Sequence, residues 1–330
     1  MASIELFHST GIAHVDALLV GFIDLCESTF PERIRSYFLL GSYSDGSAVE
    51  DSDIDMGVLF KGSFQEGERD YFKQFLRDCN SMSPIRLDAT ALEEASYTEA
   101  TPGVKAALVL YGEHVLEDIP QMPLERTLPF TIFGAFHHPW LLRRKEPQLT
   151  YPLDYPDPEG EFYGYERWGS FYGGSSFGPG IRILVNSVTM IATALLGLKA
   201  QRQVGTKSRS ISDYKKYIHD DWADYLIDLY QICKTEWRYK LPDEQENREI
   251  FRKLCNYTLD YENAFFSYCR PTILTNLKNG DAHTRLLTLQ SLQRVAYIGD
   301  DFIDVLEPLA QSSDKDIRQR AKTILRTITE

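Results

Sequence analysis

No basic stripe runs through this sequence. The tightest basic cluster is Arg143-Arg144-Lys145, and the whole chain carries a formal net charge of −13. Affinity for long nucleic acid rests on clustered Lys and Arg, so no such partner is expected. Cysteine is sparse. Cys26, Cys79, Cys233, Cys255 and Cys269 make an odd set with no Cys-x-x-Cys. All five stand in apolar or helical surroundings, as buried free thiols do, which points to a reducing compartment. The N-terminus lacks a basic n-region, and Asp16 and Asp24 interrupt the apolar residues that follow. Neither a signal peptide nor a membrane span is expected, and the expected location is cytoplasmic. No His and Cys set has zinc-like spacing, so His137-His138 read as surface or capping residues.

What is present is an ordinary globular composition. With 330 residues and 43% hydrophobic content, the chain has room for two or three domains and a sizeable core. Its most informative stretch is YFLLGSYSDGSAVEDSDIDMGVLF, from Tyr37 to Phe60. An apolar run reads as a buried strand, then Gly41-Ser42 turns the chain, then Asp53-Ile54-Asp55 leads into a second apolar run. Two carboxylates at i and i+2 on an extended chain share one face, where they repel unless a divalent cation sits between them. A Gly-Ser turn behind a strand can offer backbone N–H groups to a phosphate. Downstream, Asp88 ends a short strand-like run. Asp45 and Asp51 read as solubilising loop acids.

Strand, Gly-Ser, ten residues, Asp-x-Asp, strand: this pattern resembles the signature of the DNA polymerase beta-like nucleotidyltransferases. The resemblance implies an α/β core with a small mixed sheet. It implies Gly41 and Ser42 at the phosphates of an NTP, and Asp53, Asp55 and a third carboxylate, here Asp88, as catalytic ligands of Mg²⁺, two ions in number.

Along the chain, helices are expected over residues 10–29 with Thr10 as cap, over 66–80 and over 102–109. Strands are expected at 35–41, 54–61, 84–89 and 109–112. This nucleotidyltransferase domain is expected to span 1–120. Residues 121–180 crowd prolines and aromatics and read as a packed connection with a helix near 126–135. Residues 181–277 read as an all-α domain, with helices at 181–199, 220–236 and 244–268. A helical domain behind such a core resembles the aminoglycoside adenylyltransferases that modify streptomycin and spectinomycin. By that resemblance Lys207 and Ser208, ahead of Asp221-Trp222-Ala223, supply groups to the triphosphate. Residues 278–330 read as three short helices broken at Gly299-Asp300 and Ser312-Ser313. Asp316-Ile317-Arg318-Gln319-Arg320-Ala321 resembles the start of a HEAT-type helix. Such a unit must dock on the helical domain or on a protein partner, since one repeat cannot bury its own faces.

The function expected from these readings is Mg²⁺-dependent transfer of a nucleoside monophosphate, AMP foremost, from an NTP to a hydroxyl of a small-molecule acceptor, an aminoglycoside-like cation among the candidates. A nucleotide or protein acceptor is the alternative, as is a non-catalytic NTP sensor whose HEAT-like tail binds a partner.

Overall fold

The computed structural model describes residues 4–143, 148–167 and 180–329. They form two compact units: Met1–Pro123 with Gln203–Ser210, and Leu124–Arg202 with Ile211–Glu330.

The first unit begins with α1 (Ala13–Thr29), whose apolar stripe buries Val15, Leu19, Phe22 and Cys26. Thr10 does not cap it; its backbone N–H and hydroxyl both donate to the Asp16 carboxylate, so the helix starts later than the sequence suggests. Then come β1 (Ile34–Leu39), the single turn α2 (Gly41–Ser44), β2 (Ile54–Phe60), α3 (Glu68–Met82), β3 (Leu87–Glu93), α4 (Pro102–Lys105) and β4 (Leu108–Gly112). The sheet runs β3-β2-β1-β4. β1 pairs antiparallel with β2 and β4, whereas α3 carries the chain across so that β3 runs parallel to β2. Both faces are covered. Tyr37, Leu39 and Met56 pack with α1 and α3, and Phe38 and Leu59 pack with Val104 and Val109. Covering both faces explains why the two strands read as unbroken apolar runs. The helix expected at 102–109 is only the turn α4, because pairing with β1 claims the chain from Leu108 onward.

The second unit holds α5 (Leu124–Leu142), β5 (Leu149–Tyr151), α6 (Arg182–Ala200), most of α7 (Lys207–Tyr217) and α8 (Trp222–Leu229). A π-helical turn, Tyr230–Glu236, leads on to α9 (Gln245–Asn279), α10 (Ala282–Leu292), β6 (Val295–Tyr297), α11 (Asp300–Leu309) and α12 (Lys315–Thr329). α6 is long and apolar enough to cross a membrane, yet 67% of its apolar window is buried inside this unit, as in a core helix. The polar segment Lys207–Tyr217 folds as α7, with Ile211 and Tyr214 buried. In the Pro/aromatic connection, Phe162 and Tyr165 are buried, with Phe162 4.8 Å from Phe251, so these rings anchor the segment. The rest of that aromatic run, residues 168–179, and Arg144-Lys145 lie outside the described residues.

The three expected tail helices are α10, α11 and α12, broken where Gly299 and Ser312 stand. The resemblance to a helical repeat stops there. Between α10 and α11 lies β6, fully buried and paired in parallel with β5, with Leu149 opposite Val295. Leu289, Leu292, Phe302 and Leu306 are buried, and α10 packs on α5 and α9.

Candidate functional site

Two neighbouring carboxylates and a third, distant in sequence, meet at one end of β2. In the parallel register Asp55 stands opposite Asp88. Asp53 lies just ahead of β2, on the side of Asp55. One oxygen from each of Asp53, Asp55 and Asp88 lies within 4.8 Å of the others, and all three residues are half-buried. Among the described residues, no other three His, Cys, Asp or Glu side chains gather in this way.

Local sequence explains the convergence. Ser52 is buried; its hydroxyl accepts from the Val49 N–H (2.9 Å), closing the turn that delivers Asp53. At the end of α3, the Asn80 side chain bonds both backbone groups of Leu87, accepting from its N–H and donating to its carbonyl, each at 2.8 Å. That latch sets where β3 begins, and so where Asp88 stands. Nothing in the spacing of the sequence marks Asn80 for this role.

Gly41 adopts φ +63°, a left-handed conformation that favours glycine. A Cβ there would fall 2.2 Å from Asp55 Oδ2, so the backbone of the Gly-Ser turn lies directly on a carboxylate of the cluster. Leu40 N–H donates to the Asp55 carbonyl at 2.9 Å and holds the turn in place. Ser42, the next residue, is half-buried in α2.

Burial raises the Asp88 carboxyl above its usual range and the Asp53 charge raises it further, against the opposing pull of Arg86. Tyr43 is raised in the same way, by burial first and by Asp53 second. Hard oxygen donors, partial desolvation and mutual repulsion make a donor set that suits a divalent cation such as Mg²⁺.

Residues 203–210 belong to this same unit. Gly205 approaches α4 closely: a Cβ would sit 2.4 Å from the Pro102 carbonyl oxygen. Lys207 opens α7 and is exposed. Its neighbour Ser208 donates to Asp45 Oδ2. Asp45 is therefore not the idle loop acid that its sequence setting suggests. Desolvation works against its charge, but hydrogen bonds from Ser208, Ser47 and Thr206 outweigh it and hold its carboxyl below the usual range. A carboxylate with a depressed folded-state value stabilises the fold above its unfolded value, and that contribution is lost as pH falls through the folded one. Ser208→Ala is accordingly expected to cost about 0.5–1 kcal/mol at neutral pH, a charged hydrogen bond discounted for exposure. The gap from wild type should close below the carboxylate range, as read by urea unfolding at several pH values. An equal gap at every pH would mean that the bond to Asp45 is not its source.

Residues 21–112, from within α1 to the end of β4, match the family model of the nucleotidyltransferase domain. That range includes Gly41, Ser42, Asp53, Asp55 and Asp88. That part of the first unit, which holds the carboxylate cluster, is thus similar to a nucleotidyltransferase domain. No curated protein matches the chain in sequence. Among solved structures it is similar to spectinomycin adenyltransferase AAD(9) from Enterococcus faecialis, solved with ATP and spectinomycin. That likeness has 9% identity and a TM-score of 0.43, and covers 75% of this chain and 98% of that one. A likeness so distant bears on neither substrate nor site.

Proposed function

We propose that the chain moves AMP from ATP to a hydroxyl of a small molecule and releases pyrophosphate, with Mg²⁺ held by Asp53, Asp55 and Asp88. The observation that carries this reading is the meeting of the three carboxylates against the Gly41 backbone. Mg²⁺ bound there, as two ions, would draw electron density from the α-phosphate and offset charge on the leaving pyrophosphate. The rest falls to the chain itself. Gly41 lets the backbone approach the phosphates, and Ser42 offers them a hydroxyl and an N–H. Asp88 serves either as the third oxygen donor or as the base that takes the acceptor's hydroxyl proton. Lys207 neutralises the β- and γ-phosphates.

A small acceptor accords with the net charge of −13 and the lack of a basic stripe. An aminoglycoside-like cation would suit an acidic protein; a nucleotide or protein acceptor is the second reading. Incubation with each NTP, Mg²⁺ and a panel of metabolites and aminoglycosides, followed by mass spectrometry, tests the proposal. A nucleotide adduct on a small molecule supports it. Labelling of protein or nucleotide alone would transfer the case to the second reading.

Lys207→Ala is expected to weaken ATP binding about ten- to a hundredfold, the equivalent of one charge-assisted phosphate contact of roughly 1.5–3 kcal/mol. The melting temperature of the apo protein should not move. Unchanged ATP affinity in calorimetry would remove Lys207 from the phosphate site.

A further inference from the structure

A second cavity, within the second unit, has different chemistry. It measures about 550 Å³ and opens between α8 and α9. That volume lies within the usual range for small-molecule sites, roughly 300–1,000 Å³. Its walls combine two kinds of residue. Trp222, Tyr225 and Tyr257 supply aromatic surface, continued by Leu254. Trp222 and Tyr225 meet edge to face with centroids 6.0 Å apart, and Tyr257 lies 5.9 Å beyond Tyr225. The Tyr225 hydroxyl is bonded to Thr258 Oγ1 at 2.7 Å inside the unit. Tyr257 remains 54% exposed, a large ring left at the surface.

The polar part of the lining is wholly acidic: Asp220, Asp221, Asp228 and Asp260. Asp220 is already compensated, accepting from Lys199 Nζ and from the Tyr214 hydroxyl, each at 3.0 Å. Asp221, Asp228 and Asp260 are exposed, and among the described residues no ion pair reaches them. A triphosphate would be repelled by this acidic lining. A metal ion would make no use of three aromatic rings. A ligand with cationic ends and a methylene body would use both features, its ammonium groups at the carboxylates and over ring faces, its carbon chain along Leu254 and the rings.

We infer that this cavity is a binding site for an aliphatic polyamine. It is separate from the nucleotidyl-transfer reading and stands or falls without it. Carboxylates alone would attract any cation to a chain of net charge −13; the aromatic floor beside them is what selects an organic one.

Spermidine is the probe, titrated calorimetrically into the full chain at moderate salt. The expected result is one saturable site that Mg²⁺ at equal charge concentration does not displace. Asp228→Asn and Asp260→Asn lie at exposed positions and should leave the melting temperature unchanged. Each should weaken binding about three- to fivefold. Trp222→Leu should weaken it about tenfold or more, through loss of the cation–π contact. Because Trp222 also packs on Tyr261 (5.3 Å), Tyr257→Ala at the exposed ring provides the aromatic test that does not endanger the fold. Binding that is non-saturable, displaced by Mg²⁺, or unchanged in both Asp228→Asn and Tyr257→Ala would overturn the site and leave only a diffuse counterion effect.

Discussion

Asp53→Asn is expected to lower nucleotidyl transfer by more than about a thousandfold while the apo fold stands. Charge stabilisation by a bound cation amounts to several kcal/mol, and each 1.36 kcal/mol is tenfold in rate. Asp53 has neighbours that repel it: the three carboxylates lie within 4.8 Å, and the Asp53 charge is one cause of the raised Asp88 value. Removing its charge should therefore leave the apo protein as stable as wild type or more so. With Mg²⁺ and ATP at about a hundred times Kd, wild type should gain about 2.7 kcal/mol by mass action, and the variant far less. If Asp53 merely closed a turn, the outcome would reverse. The variant would melt lower without ligand, and Mg²⁺ with ATP would shift neither protein. Four melting curves and a mass-spectrometric transfer assay distinguish the two cases.

The second large effect lies in the helical unit and concerns stability alone. Glu262 on α9 is fully buried, and Arg143, just past α5, nearly so; they pair at 2.6 Å. Tyr165 and Ser187 also donate to the Glu262 carboxylate, at 3.0 and 3.2 Å. Arg143 donates further to the carbonyls of Asp154 and Pro139. Burial opposes the Arg143 charge, but Glu262 and Tyr165 outweigh it and keep the group charged. Glu262→Ala strands a buried guanidinium and should cost about 3–5 kcal/mol. At roughly 2–4 °C per kcal/mol for a domain of this size, the second unit should melt about 10 °C lower. Glu262→Leu combined with Arg143→Met should recover most of that loss, since an apolar pair leaves no charge unmatched. A single variant that melts with wild type, or a double variant worse than either single, would contradict this account.

The carboxylate stretch was legible because its pattern is local. Gly41-Ser42 and Asp53-x-Asp55 lie between two apolar strands, so spacing alone aligns them, and Asp88 follows from strand alternation once β3 is placed. The Asn80 latch was not legible, because a polar residue ending an amphipathic helix has many ordinary roles. Asp45 was passed over for a related reason: its partner Ser208 is far along the chain, and only tertiary folding joins them. β6 escaped because three residues are too few to show a period, and Val295 fits a helical stripe equally well. On α9, Tyr257 and Asp260 carry no signal in the sequence; the cavity forms only when α8 is laid beside them.

The pairing of β5 with β6 bears on how the chain is made. Among the described residues, Leu149–Tyr151 pairs in a sheet with Val295–Tyr297 alone, which is synthesised far later. During translation the second unit must wait with one bare strand edge, while the first unit's sheet, complete by Gly112, already has all four strands in hand. A bare edge is a template for pairing with another chain. Nascent chains stalled between residues 151 and 295 should therefore be the ones that aggregate or recruit chaperones, and chains released after β6 should not.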